Sequence, residues 1–239
     1  MLTRLIGERV SKTTVSHLHS TSSPSNHFPD MQALSTAPFM QQVQYGMELS
    51  FLLENPESES NVQLKESLKV QLSHSDGIRG FMVAYLSGRG EDVVEGNVDA
   101  LVAPNTIEIP PVLLEVLHEQ LQQKGSAELV SLMCMNVIMP TAMVTMHKDA
   151  SQSANSARTA QRGLALLQAV QEHNTGIRKN VSAIRQVARR VQKIDQDGHT
   201  AETESDDPLI KRWTEFFDKW GYQQQQAADI EKAMDTLLS

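Results

Sequence analysis

Ser73, His74, Ser75 and Asp76 stand side by side and hold the residue types of a nucleophile, a base and an acid. A working triad needs side chains that converge, usually from separate segments. Neighbours at one chain break point apart instead. Asp76 is well placed to cap a following helix, because a carboxylate accepts from the free amides of a first turn. Capping is the preferred reading. An enzyme would need a wider constellation, with His74, Asp76, Arg79 and His118 gathered round one His/Asp/Arg pocket.

The other chemical patterns fail on spacing. Cys134 with His118 or His147 offers a thiolate–imidazole pair, but activation needs an accessible, electropositive setting, and Cys134 lies in the most apolar run. His118-Glu119 begins like the zinc-protease helix, yet the second histidine position holds Gln122. Gly88-Arg89-Gly90 has Val93 where a dinucleotide loop needs its third glycine. Asn180-Val181-Ser182 matches a glycosylation acceptor but falls within a helical pattern. The sequence therefore predicts no metal site, no cofactor and no catalytic residue.

Two constellations suit binding better. Arg178, Lys179, Arg185, Arg189, Arg190 and Lys193 form a basic helix in a chain of net charge −8. Arg185, Arg189 and Arg190 are candidates for gripping an acidic partner, RNA or a lipid headgroup surface. The plainer reading is a solvated face neutralised by the acidic linker that follows. Trp213, Phe217 and Trp220 share a helical stripe with Phe216 close by. They either dock on the chain's own core or anchor another protein, since exposed aromatics concentrate binding energy.

These groups must be positioned by helices. Leu129 to Met146 is the longest apolar run and holds no charged residue, which marks a central helix buried on all sides. Its length also just reaches a bilayer span, but Ser131, Asn136, Pro140, Thr141 and Thr145 would make it a poor inserter. Pro140 is expected to kink it or split it into Ala127–Met139 and Thr141–His147. Five methionines (Met133, Met135, Met139, Met143, Met146) supply adaptable packing.

Around that axis, spacing predicts helices over Pro38–Leu53, Asn61–Ser73, Ile78–Ser87 and Pro111–Gln123. Further helices carry Leu164–Val170, Ile177–Ile194, Pro208–Trp220 and Gln224–Leu238. Thr106–Ile109 alternates like a strand but is too short for a sheet. Residues 149–160 read as a loop or the solvated start of a helix. One cysteine precludes an intrachain disulfide, and the acidic balance disfavours general nucleic-acid binding.

The expected fold is all-α: an irregular bundle of about seven to nine helices. Residues 1–36 read as a disordered tail. Its basic, Ser-rich, acid-poor character also resembles an organellar transit peptide, so the expected compartment is the cytoplasm, or a mitochondrion or plastid if the tail is cleaved. Residues 37–194 form the bundle, 195–207 an acidic linker with Thr203 and Ser205 as phosphorylation candidates, and 208–239 a tethered aromatic hairpin. The expected function is a non-enzymatic interaction or assembly protein. Its partner is another protein, with self-association as a further option and no transmembrane span.

Overall fold

A computed structural model describes residues 28–54, 61–88, 107–172, 174–193 and 206–239. Among them are ten helices and no strand. In order these are α1 (Met31–Thr36), α2 (Phe39–Glu54), α3 (Asn61–Gln71), α4 (Ser75–Ser87) and α5 (Pro111–Gln122). There follow α6 (Ala127–Met146), α7 (Ala150–Gln171), α8 (Thr175–Gln192), α9 (Pro208–Trp220) and α10 (Gln224–Leu238). The chain is an all-α multi-helix bundle, and one buried apolar cluster runs from Leu34 to Leu237.

The helix beyond the expected count is α1, which lies inside the segment read as tail. Asp30 caps it, accepting from the amides of Gln32 and Ala33 at 2.9 and 3.0 Å. Leu34 is fully buried. A carboxylate cap and one anchoring leucine order a stretch whose composition alone looks unstructured. Residues 1–27, the rest of that segment, lie outside the described residues. So do residues 55–60 and 89–106, and most of the linker with Thr203 and Ser205. Ile107–Ile109 has no regular structure, and Ile109 is buried.

The central helix α6 runs unbroken through Pro140. Proline removes the donor that the Asn136 carbonyl would otherwise receive. Gly163 of α7 lies against that position: a Cβ there would stand 3.2 Å from the Asn136 oxygen and 3.0 Å from Val137 Cγ2. Backbone without a side chain therefore packs close over the freed carbonyl, and the helix continues. Thr141 Oγ1 donates to the Val137 carbonyl at 2.7 Å, reinforcing the same turn.

Helices α6 and α7 form an antiparallel hairpin. Ser153 Oγ near the start of α7 donates to the Val144 carbonyl near the end of α6 at 2.8 Å. The polar start of α7 is thus the helical reading of residues 149–160, capped by Asp149. Helices α4, α8 and α10 also pack on α6. Leu129, Val130, Met133, Cys134, Val137, Ile138 and Ala142 are buried there. The wrapping is incomplete: Leu132, Met135, Met139 and Met143 are half-buried and Met146 is exposed. Among the described residues α6 alone is long and apolar enough to cross a bilayer, and 50% of its apolar window is buried inside the protein.

Two further devices fix the bundle. Helices α2 and α4 cross at Gly46 and Gly80, where a Cβ on Gly80 would fall 2.6 Å from the backbone of Gln42. Asn174 caps α8 by accepting from the Ile177 amide at 3.0 Å. Its Nδ2 also donates to the Leu121 carbonyl of α5 at 3.2 Å.

Candidate functional site

The aromatic hairpin is docked, so its stripe is not an exposed anchor. Trp213 and Phe217 are 0% and 1% exposed, and both belong to the common core. Trp213 Nε1 donates to Asn180 Oδ1 at 3.0 Å, and Asn180 Nδ2 donates back to the Gly176 carbonyl of its own helix. Phe217 meets Tyr222 edge to face, with ring centroids 5.3 Å apart. Burial pushes the Tyr222 phenol well above its ordinary pKa. Trp220, of the same predicted stripe, is half-buried, its ring tilted against Phe216. The stripe is thus core on α8 at its centre and peripheral at its end.

Two arginines of the basic helix α8 are paired with acids of α10. Arg185 pairs with Asp235 at 3.2 Å, and Arg189 pairs with Glu231 and, at 3.6 Å, with Asp235. Gln192 Nε2 adds a bond of 2.6 Å to Glu231. Two arginines four apart on α8 therefore face two acids four apart on α10. Arg189's hydrogen bond holds the Glu231 carboxyl below its usual range, with Gln192 helping. Arg190, half-buried, is neighbour to this lattice. Arg185 and Arg189, so paired, have less charge free for phosphate groups of RNA or anionic lipid.

Three of the residues named for an enzyme pocket, His74, Asp76 and Arg79, have other occupations. His74, not Asp76, caps α4: its Nδ1 accepts from the Gly77 amide at 3.2 Å. The tautomer that allows this carries its proton on Nε2, which sits 2.8 Å from the Leu34 carbonyl. That contact joins a buried polar knot. Gln42 donates to the Leu34 carbonyl at 2.6 Å, and Gln71 donates to the Gln42 carbonyl at 2.8 Å. The knot ties α1 to α2, α3 and α4. Asp76 and Arg79 form an exposed pair at 3.6 Å, with the Arg79 guanidinium 5.0 Å from the centre of the Phe39 ring. Cys134 is fully buried, and burial pushes its thiol up to about 12. Such a thiol is no nucleophile at neutral pH. Among the described residues no group of three or more His, Cys, Asp or Glu side chains could hold a metal.

A polar cleft of about 180 Å³ opens elsewhere, where the α3–α4 turn, the end of α5 and the start of α6 meet. Leu72, Ile78 and Leu129 line its apolar part, and Gln120, Lys124 and Glu128 contribute polar chains. None of His74, Asp76, Arg79 and His118 lines it. Gln120 was legible in principle: it occupies the buried stripe of Leu113, Val116, Leu117 and Leu121, where a polar residue is out of place.

A family model matches residues 39–237. The chain belongs to that family, described as uncharacterised conserved protein UCP020893. No curated protein and no solved structure matches it. The family match starts at the first residue of α2 and ends inside α10. It thus spans the cleft, the outer face of α2 and the paired face of α8, and leaves α1 outside.

Proposed function

We propose that the chain is a non-enzymatic helical interaction protein whose docking surface is the outer face of α2. The observation that carries this reading is a row of exposed apolar side chains, Met40, Met47 and Phe51, which are 67%, 58% and 41% exposed. Their spacings of seven and four put all three on one stripe. Val83 of α4 is also exposed, at 40%. Isolated exposed apolar residues are ordinary, but a contiguous row marks a binding surface.

The chemistry of the row selects the partner. Methionines adapt to irregular shapes and suit a helix laid in a groove. Glu48 and Glu54 on the same helix are exposed, and the chain is acidic overall. The occupant that fits is a basic amphipathic helix of another protein. The enzyme reading has less support, because His74 is engaged in capping and Asp76 and Arg79 in an ion pair.

A photo-crosslinking side chain at position 47 tests this, with one at the exposed Gln225 of α10 as control. The expected result is one crosslinked polypeptide from position 47, lost on Met40→Asp, and none from position 225. Crosslinking only to a second copy of this chain, or to nothing, would overturn the reading. Substrate turnover by the isolated protein would restore the enzyme.

A further inference from the structure

We infer that Met40 and Met47 of α2 are a site of reversible oxidation by hydroperoxides, and that their sulfoxides release the partner docked on that helix. The site itself stands on exposure and placement. Its effect on docking rests on the α2 reading above.

The first observation is where the accessible sulfur lies. The chain holds eleven methionines and one cysteine. Met82 and Met234 are 0% exposed and Met133 is 2% exposed. Met135, Met139 and Met143 are half-buried. Met40 and Met47, at 67% and 58%, stand out further than Met146 at 45% and Met31 at 38%. A peroxide oxygen must reach the sulfur to oxidise it, so exposure sets the order of reaction among the described methionines. Met31 also has its sulfur engaged, accepting from Ser67 Oγ at 4.0 Å.

The second observation is that no thiol competes. A thiolate is the better nucleophile and would ordinarily consume peroxide first. Cys134 is fully buried, and burial raises its thiol to about 12. Peroxide that meets the folded chain is left with thioethers.

The third is placement. Met40 and Met47 are seven residues apart on α2, about 10 Å along its axis at a rise of 1.5 Å per residue. Phe51 follows one turn later on the same side. Two of the three apolar anchors of that surface are therefore oxidisable. Met146 and Met31 lie on other helices, α6 and α1.

In the reaction a sulfur lone pair attacks one oxygen of hydrogen peroxide. An S–O bond forms and the O–O bond breaks. The proton on the transferred oxygen passes to the departing hydroxide, which leaves as water. Sulfur loses two electrons and the peroxide gains them. A dithiol reductant acting through methionine sulfoxide reductases reverses the change: two thiols become one disulfide, and the oxygen leaves as water. The sulfoxide is polar and chiral where the thioether was apolar and flexible. Covered by a partner without a donor to meet it, each sulfoxide should weaken docking by about tenfold.

Limited hydrogen peroxide treatment of the purified full chain, followed by peptide mass mapping, tests the site. Sulfoxide is expected at Met40 and Met47 before Met146 and Met31, with Met82, Met133 and Met234 unmodified and Tm unchanged. Methionine sulfoxide reductases with dithiothreitol should return both residues to the thioether. Modification of Met146 or Met31 first, or of the buried methionines alongside with a fall in Tm, would overturn the site. A photo-crosslinking side chain at the exposed Gln44, between the two methionines, tests the switch once peroxide is removed and cell extract is added. The crosslinked product should be lost on oxidation and return on reduction. It should persist through peroxide in the Met40→Leu, Met47→Leu double variant, whose swaps conserve volume at exposed positions. Product undiminished with both sulfoxides in place, or lost equally in the double variant, would overturn the switch. No product from the untreated chain would overturn the docking reading and the switch with it, while the mapping still decides the site.

Discussion

Trp213 Nε1 lies 3.0 Å from Asn180 Oδ1 in the interior, so an indole and an amide hold α9 onto α8 through one buried hydrogen bond. The tryptophan is fully buried and the asparagine nearly so. Each is the other's answer to burial. A large ring brings apolar area to the core, and its one polar atom must be met there.

Removing both partners should therefore cost less than the two single losses added together. Asn180→Ala strands the indole N–H, and Trp213→Phe strands the amide oxygen. Each is expected to lose about 1–3 kcal/mol, the cost of an unsatisfied buried group. The double variant should lose less than the sum of the two. Urea titrations of the four proteins measure it, and strict additivity would remove the coupling.

Gly80 is expected to reject even a methyl group. Alanine favours helix by up to about 1 kcal/mol over glycine. At Gly80, however, the added carbon would meet Gln42 backbone and Cβ at 2.6 Å. Prising α2 from α4 should cost about 1–3 kcal/mol, the range for overpacking, so Gly80→Ala should be destabilising. A higher Tm for Gly80→Ala would show that the crossing is looser than described.

Glu231 predicts an acid-side loss of stability. Its carboxyl is held below the usual range by the hydrogen bond from Arg189, so the folded state binds that proton less readily than the unfolded one. The contribution is complete above the unfolded value of about 4.3 and is lost as pH falls through the lower folded value. Glu231→Gln should flatten this part of the curve, and added salt should shrink the difference between the two proteins. Denaturation at pH steps from neutral downward reads both. Parallel curves for the two proteins would show that the pair does not report on folding.

Cys134 should be silent to thiol reagents until the bundle opens. Its thiol is raised to about 12 by burial. Its linkage to folding is complete below the unfolded value of about 8.5 and is lost as pH rises from there towards the folded value. At pH 8 the native protein is expected to label at the rate of global or local opening, and urea-unfolded protein at once. Rapid stoichiometric labelling of the native chain would mean that α6 is exposed to water.

What the sequence reveals depends on whether a signal is local. The central helix was legible because Leu129 to Met146 contains no charge, and the α9–α10 break because Gly221 adopts the left-handed conformation at φ 64°. Pro140 misleads because the glycine that packs over the opened carbonyl, Gly163, is on another helix. The arginines of α8 were visible, but not that Arg185 and Arg189 would find partners on α10. The matching four-residue step of Glu231 and Asp235 was there to be read. Asp30 as a cap was hidden by the serine- and proline-rich stretch before it. The cleft was least legible, since it joins side chains from the α3–α4 turn to those around the α5–α6 turn.

Asn174 shows why an amide, and not merely a good cap, occupies the junction before α8. Aspartate and serine would start that helix about as well. Neither carboxylate nor hydroxyl reproduces the second half of the arrangement, in which the amide nitrogen reaches back to the Leu121 carbonyl. A carboxylate would turn that attraction into repulsion between two oxygens. The step from asparagine to aspartate, the change that spontaneous deamidation brings about, would leave α8 properly begun and cut its link to α5, so ageing of one side chain would loosen the bundle without unwinding a helix.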